Sequence, residues 1–247
     1  MFSISPAQQS ADLSRKIKAE VDARLYTQAI GSLKEMRRLD ERSFYLNNYD
    51  YLLARLAEKT GDAGPAASGY RSAASGDSVL KEYALWHLAE LMRGSGNLIL
   101  ERIYLKQLTL TSPDSLFQEA AKFRLAESLF ESGDFPAAIV LLQNFQRRNE
   151  LVRGAASSPP GDRRMLGGNH PRIRAARLML GRALAQNGQL EDARQAFEAL
   201  VNDIPDPAMP DDFALEATRG LDQLSGFASG AEPATALSEA EHVKRAV

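Results

Sequence analysis

Catalysis and metal binding need particular side chains at particular spacings, and the chain offers few of them. It has no cysteine and three histidines, His87, His170 and His242, which lie on separate segments with no second His at helical spacing. Thiol chemistry, disulfides and cysteine zinc sites are excluded, and a histidine metal cluster is not indicated. The stretch GDRRMLGGNH before Pro171 is glycine-rich but lacks the Gly-Lys-Ser/Thr ending of a phosphate loop and follows no strand pattern, so no nucleotide cofactor is expected. Glu127-Ser128-Leu129-Phe130 presents a carboxyl that would act as a general acid only if further elements held it against a substrate. Arginines gather at Arg147, Arg148, Arg153, Arg163 and Arg164, with Arg172, Arg174 and Arg177 following and only Glu150 and Asp162 opposing the first group. Centred on Arg163 and Arg164, they make a candidate patch for phosphate or acidic-polysaccharide groups; the alternative is a solvated loop. Few aromatics interleave with them, against the pattern of single-stranded nucleic-acid binding.

The elements that would carry these residues follow from self-similarity at a fixed period. Gly61, Gly96, Gly133 and Gly188 sit in equivalent settings, separated by 35, 37 and 55 residues. The first two spacings are close to the roughly 34-residue helix-turn-helix period, and the third contains an insertion. Around the last glycine, Leu180-Gly181 and Leu184 precede the turn, Ala193 and Phe197 follow it, and Pro205 closes the unit. Leu125-Ala126, Leu129, Phe135, Ala138 and Leu142 repeat the pattern, as do Leu88-Ala89, Met92, Leu98 and Leu105, and then Leu53-Ala54, Ala57, Ala66 and Tyr70. Tyr26, Ala29, Ile30 and Leu33 keep the second-helix half of an earlier unit without its turn glycine. Small residues such as Gly181 and Ala193 mark close helix approach, and the large apolar ones fill the space between pairs. This pattern resembles the tetratricopeptide repeat, departing from it at Glu101, where that family prefers Ala. The resemblance implies five repeats: an all-α fold of tandem helix-turn-helix units stacked into a right-handed α-solenoid.

The repeats are expected over residues 1–224, with a loop insertion at about 147–170, where two prolines and several glycines interrupt the periodicity. Residues 225–247 read as a small-residue linker and the start of a further helix, opened by a capping box at Ser238 and Glu241 and cut short at Val247. That ending suggests a fragment of a longer protein. Thirty basic against 32 acidic side chains leave a net charge of −2, giving no global pull toward nucleic acid or anionic membrane. The longest apolar run, about eight residues from Phe135, falls short of the roughly 20 that span a bilayer.

In the superhelix implied by the resemblance, first helices line the concave side. Counting ten residues back from each turn glycine gives Tyr51, Trp86 and Phe123, and six back gives Arg55, Glu90 and Glu127. Aromatic anchors flanked by charges suit a partner-binding groove; rings packed between neighbouring helices as core are the other reading. The chain lacks the Lys and Asn pattern with which chaperone-binding relatives hold a peptide carboxylate. The segments ALWHLAELMRGSGNLILERIYLKQL and PDDFALEATRGLD, within Glu82 to Leu224, are similar to the amino-terminal superhelix of bacterial soluble lytic murein transglycosylases. Glu127-Ser128 resembles their catalytic Glu-Ser-x-Phe, but no Gly-Leu-Met-Gln segment follows, so the chain itself is expected to be non-catalytic. Three functions result: a scaffold for a protein or peptide partner, a transglycosylase arm guiding peptidoglycan in the periplasm or envelope, and a polyanion binder through the insertion.

Overall fold

The computed structural model describes residues 5–76, 78–111, 117–154, 171–203 and 211–229. Among them are twelve helices and no strand. The chain divides into two compact units, Met1–Ala121 and Lys122–Val247.

The first unit holds α1 (Pro6–Asp22), α2 (Tyr26–Leu39), the short α3 (Glu41–Leu46), α4 (Tyr49–Lys59), α5 (Ala63–Ser75), α6 (Lys81–Gly94) and α7 (Leu98–Thr111). The next helix, α8 (Gln118–Glu131), begins there and runs into the second unit, which continues with α9 (Phe135–Gly154), α10 (Pro171–Gln186), α11 (Leu190–Asn202) and α12 (Asp212–Ser229). Leu13, Ile17, Leu33, Met36, Phe44 and Leu56 form one core of the first unit, and Ala54, Ala66, Tyr70, Ala84 and Leu88 form another. In the second unit Leu142, Phe145, Ile173, Leu180, Leu184, Phe197 and Leu200 pack together.

One turn is used five times. Gly61, Gly96, Gly133 and Gly188 have φ between 75° and 79°, and Arg24, with φ 58°, takes the same place between α1 and α2. In each case the amide after the turn residue bonds back five residues, as Asp62 N–H does to the Ala57 carbonyl and Leu25 N–H to Glu20. The turn residue's own amide bonds back three, Gly61 to Glu58 and Arg24 to Val21. This paired closure satisfies carbonyls left open at a helix end and needs the left-handed region, where glycine has no Cβ to clash. The first repeat is therefore complete, with an arginine in the glycine's position.

Five residues beyond each turn lie Ala29, Ala66, Glu101, Ala138 and Ala193, all fully buried. Four are alanines that let paired helices close. The third is a carboxylate, and Arg93 Nη1 on α6 stands 3.4 Å from its Oε1. In the last repeat, a Cβ on Gly181 would lie 2.4 Å from the Phe197 ring, and one on Gly220 of α12 would lie 2.7 Å from the same ring. Two bare positions on different helices thus make a slot for one aromatic side chain.

Two boundaries differ from the sequence reading. Helix α9 continues to Gly154, through residues first placed in the insertion, because Arg147–Gly154 contains no proline and is rich in helix-compatible Arg, Glu and Leu. Likewise α12 reaches Ser229, past the expected linker start at 225. The rest of the insertion and the Ser238–Glu241 capping box lie outside the described residues.

Candidate functional site

Helix periodicity assembles a polar cluster in the first unit. Tyr51 and Arg55 lie one turn apart on α4, with Glu58 continuing that stripe, and Tyr83, His87 and Glu90 share a stripe on α6. Helix α5 packs against both α4 and α6 and supplies Tyr70, whose side chain is fully buried.

The Tyr70 hydroxyl donates to Glu58 Oε2. Arg55 Nη1 donates to the same carboxylate oxygen at 2.7 Å and to the Tyr70 oxygen at 3.3 Å. His87 stacks on Tyr70 with centroids 5.1 Å apart and planes at 15°, while Tyr51 meets Tyr70 edge-on at 5.6 Å. His87 Nδ1 stands 3.3 Å from Arg55 Nη1 and 3.3 Å from Glu90 Oε2. With a bare Nδ1 it accepts from the arginine; protonated there, it donates to Glu90.

The charges follow from these contacts. Burial pushes the His87 pKa down and the Arg55 guanidinium adds to it, against the opposing pull of Glu58 and Glu90. The imidazole is therefore neutral at neutral pH. Burial pushes both phenols up, Tyr70 further through its hydrogen bond to Glu58, so neither is a ready phenolate. Burial works against the Arg55 charge, but the Tyr70 hydrogen bond and the field of Glu58 outweigh it and raise its pKa. Every group is occupied holding another, an arrangement suited to presenting a fixed surface. Among the described residues, no group of three or more His, Asp or Glu is placed to hold a metal ion.

The structure brings Tyr51, Arg55 and Glu90 together around His87. Trp86 faces a different ring: Phe117, just before α8, lies 5.6 Å away at 29°, and Tyr83 meets Phe117 edge-on at 5.0 Å. Trp86 is half-buried and Tyr83 is 42% exposed, so the aromatic group is open to solvent on one side. Phe123 and Glu127 belong to the second unit. There Phe123 rests 6.0 Å from Phe145 against the apolar core, and Glu127 is half-buried beside a fully buried Ser128. At the same count in the last repeat stands Leu178, a buried core residue, so the aromatic pattern does not extend to it.

Arg163 and Arg164 lie outside the described residues. Of the neighbouring arginines, Arg174 is buried and bonds the Asp203 carbonyl at 2.8 Å and the Asp211 carboxylate at 2.9 Å, and Arg177 reaches Asp203 Oδ2 at 2.5 Å. Both join α10 to the segments after α11 instead of facing solvent as part of an anion patch. Tyr70, Tyr83 and Phe117 join these clusters in the structure without having been singled out as site residues from the sequence. The signal for Tyr83 was present, since positions 83, 87 and 90 form one helical stripe with Trp86 beside it.

No strand, metal cluster or apolar span long enough to cross a membrane occurs among the described residues. Repeated pairs with one shared turn define the class as a helical tandem-repeat protein. Residues 175–206, covering most of α10 and all of α11, match the tetratricopeptide repeat family model. No curated protein matches the chain in sequence. Solved structures with the same fold include a tetratricopeptide repeat protein from Parabacteroides merdae, 18% identical with TM-score 0.58, covering 97% of this chain and 77% of that one. A Podosopora anserina protein of nearly identical TPR-like repeats is 17% identical with TM-score 0.53, covering 80% of this chain and 93% of that one. BtubC from P. vanneervenii is 18% identical with TM-score 0.52, covering 99% and 90% respectively.

Proposed function

We propose that the chain is a non-catalytic scaffold that holds a protein partner on the α4–α6 face of its first unit. The observation that carries this reading is the half-exposed aromatic group Tyr51, Tyr83, Trp86 and Phe117, set beside a charged network whose members are fixed by mutual hydrogen bonds. Rigid aromatics flanked by positioned charges bind with little ordering cost, and interface hot spots are enriched in them. The test is to incorporate a photo-crosslinker at Tyr83, identify the captured protein, and measure its affinity by calorimetry for the wild type and a Tyr83→Ala/Trp86→Ala double variant. A loss of about tenfold or more, with unchanged circular dichroism, is expected. Equal affinities would remove this face as the docking surface.

The sequence likeness over Glu82 to Leu224 supports a second reading, an arm that guides peptidoglycan beside a lytic transglycosylase domain. Co-sedimentation with purified sacculi that disappears in the Tyr83→Ala/Trp86→Ala variant would favour it over a protein partner. A polyanion role through Arg163 and Arg164 would show as heparin binding that weakens steeply with salt.

A further inference from the structure

A second feature of the first unit lies apart from the aromatic face. Helices α5, α6 and α7 enclose a cleft of about 570 Å³, within the range of ligand pockets. Its floor is Leu85 and Leu88, both buried, and Tyr104 lines it. At its rim Leu110 is 82% exposed, the second most exposed large apolar side chain among the described residues. Two cations, Arg71 from α5 and Lys81 from α6, also line it, and no carboxylate lies among the lining residues. Neither cation has an ion pair or hydrogen-bonded side-chain partner among the described residues.

We infer that this cleft is a docking site for an acidic segment of a partner protein that carries one leucine-sized aliphatic side chain. The charge balance selects an anionic occupant, because two cations with no acidic partner among the described residues face a lining with no acid in it. The exposed Leu110 calls for an aliphatic group as well, since an inorganic anion would leave it facing water. The volume admits a leucine side chain with adjoining backbone. The site differs from the Tyr83 and Trp86 face in residues and in charge, so it stands or falls separately.

The experiment is methyl NMR of the full chain, following the Leu85 and Leu88 signals during titration with Glu-Glu-Leu-Asp-Glu, Glu-Glu-Ala-Asp-Glu and Lys-Lys-Leu-Lys-Lys peptides and with octanoate. Saturable shifts are expected with the first peptide, about fivefold weaker binding with the alanine peptide, and no shift with the lysine peptide. Arg71→Glu and Lys81→Glu should each weaken the first peptide by about tenfold, while Tyr83→Ala/Trp86→Ala leaves it unchanged. Both charge reversals are at partly or fully exposed side chains, and circular dichroism verifies that the fold is kept. The inference is overturned if the first peptide fails to saturate, if the lysine peptide shifts the same methyls, or if the alanine peptide binds equally well. It is also overturned if either charge reversal leaves the affinity unchanged. Saturation by octanoate where the acidic peptide gives none would assign the cleft to a small amphiphile and equally overturn it.

Discussion

Replacing Gly181 by alanine should destabilise the protein even though alanine is the better helix former. In a helix interior the exchange is worth about 1 kcal/mol in favour of alanine. At this place the new methyl would lie 2.4, 2.6 and 2.9 Å from three atoms of the Phe197 ring, where ordinary contact begins at 3.4 Å. Relief requires the ring to move by roughly 1 Å, the difference between 3.4 and 2.4 Å. Its retreat is limited, because the other side of the ring already lies close to the backbone of α12 at Gly220. A rigid ring held between two helices puts the overpacking cost near the top of the usual range, about 3 kcal/mol. The net loss is then about 2 kcal/mol. In a Phe197→Leu background the obstructing ring is gone, and the same Gly181→Ala change should become stabilising by up to about 1 kcal/mol. Urea unfolding of the four proteins, followed by circular dichroism, gives the coupling directly. A stabilising effect in the wild type, or an equal loss in both backgrounds, would refute the slot described for Phe197.

Arg24→Gly should stabilise by roughly 0.5–1 kcal/mol, because it relieves a left-handed arginine at a turn where the other four repeats use glycine; thermal melts would check it. Arg174→Met should cost about 3 kcal/mol by the same melts, since it strips a buried cation from two carbonyls and the Asp211 carboxylate. His87 should make stability pH-dependent. Its folded pKa lies below its unfolded value, so the unfolded chain binds more protons and stability falls as pH drops below about 6.5 toward the folded value. Melts from about pH 8 to about pH 5 should show that decline, and His87→Gln should flatten it.

The repeat was legible because glycine at a left-handed turn and alanine at a close contact are both required by backbone geometry, and each leaves a visible periodic mark. The first turn left none: Arg24 adopts the glycine conformation, which nothing in its residue type announces. Gly181 could be read as a close contact, but its counterpart Gly220 could not, because it comes from a helix outside the repeat pattern. In the candidate site, counting from the turns picked out Tyr51, Arg55 and Glu90, which the structure brings together around His87. The count could not reveal that Tyr70 from α5 and His87 complete their network, or that Phe117 receives Trp86. Those contacts join residues on different helices, and each depends on packing that a one-dimensional period does not encode.

Glu101 has a bearing on how the chain avoids misassembly. Repeats this alike risk pairing with the wrong neighbour while they fold, and four of the second helices carry interchangeable alanines at the central contact. The third does not. Three residues before each turn glycine or its equivalent stand Val21, Glu58, Arg93, Phe130 and Ala185, so only α6 offers the cation that meets a buried carboxylate. Seated on any other first helix, α7 would bury Glu101 against an apolar group or another acid, at a cost of several kcal/mol. The charged pair thus works as an address, sending one helix to one partner in an array whose other members share the same key.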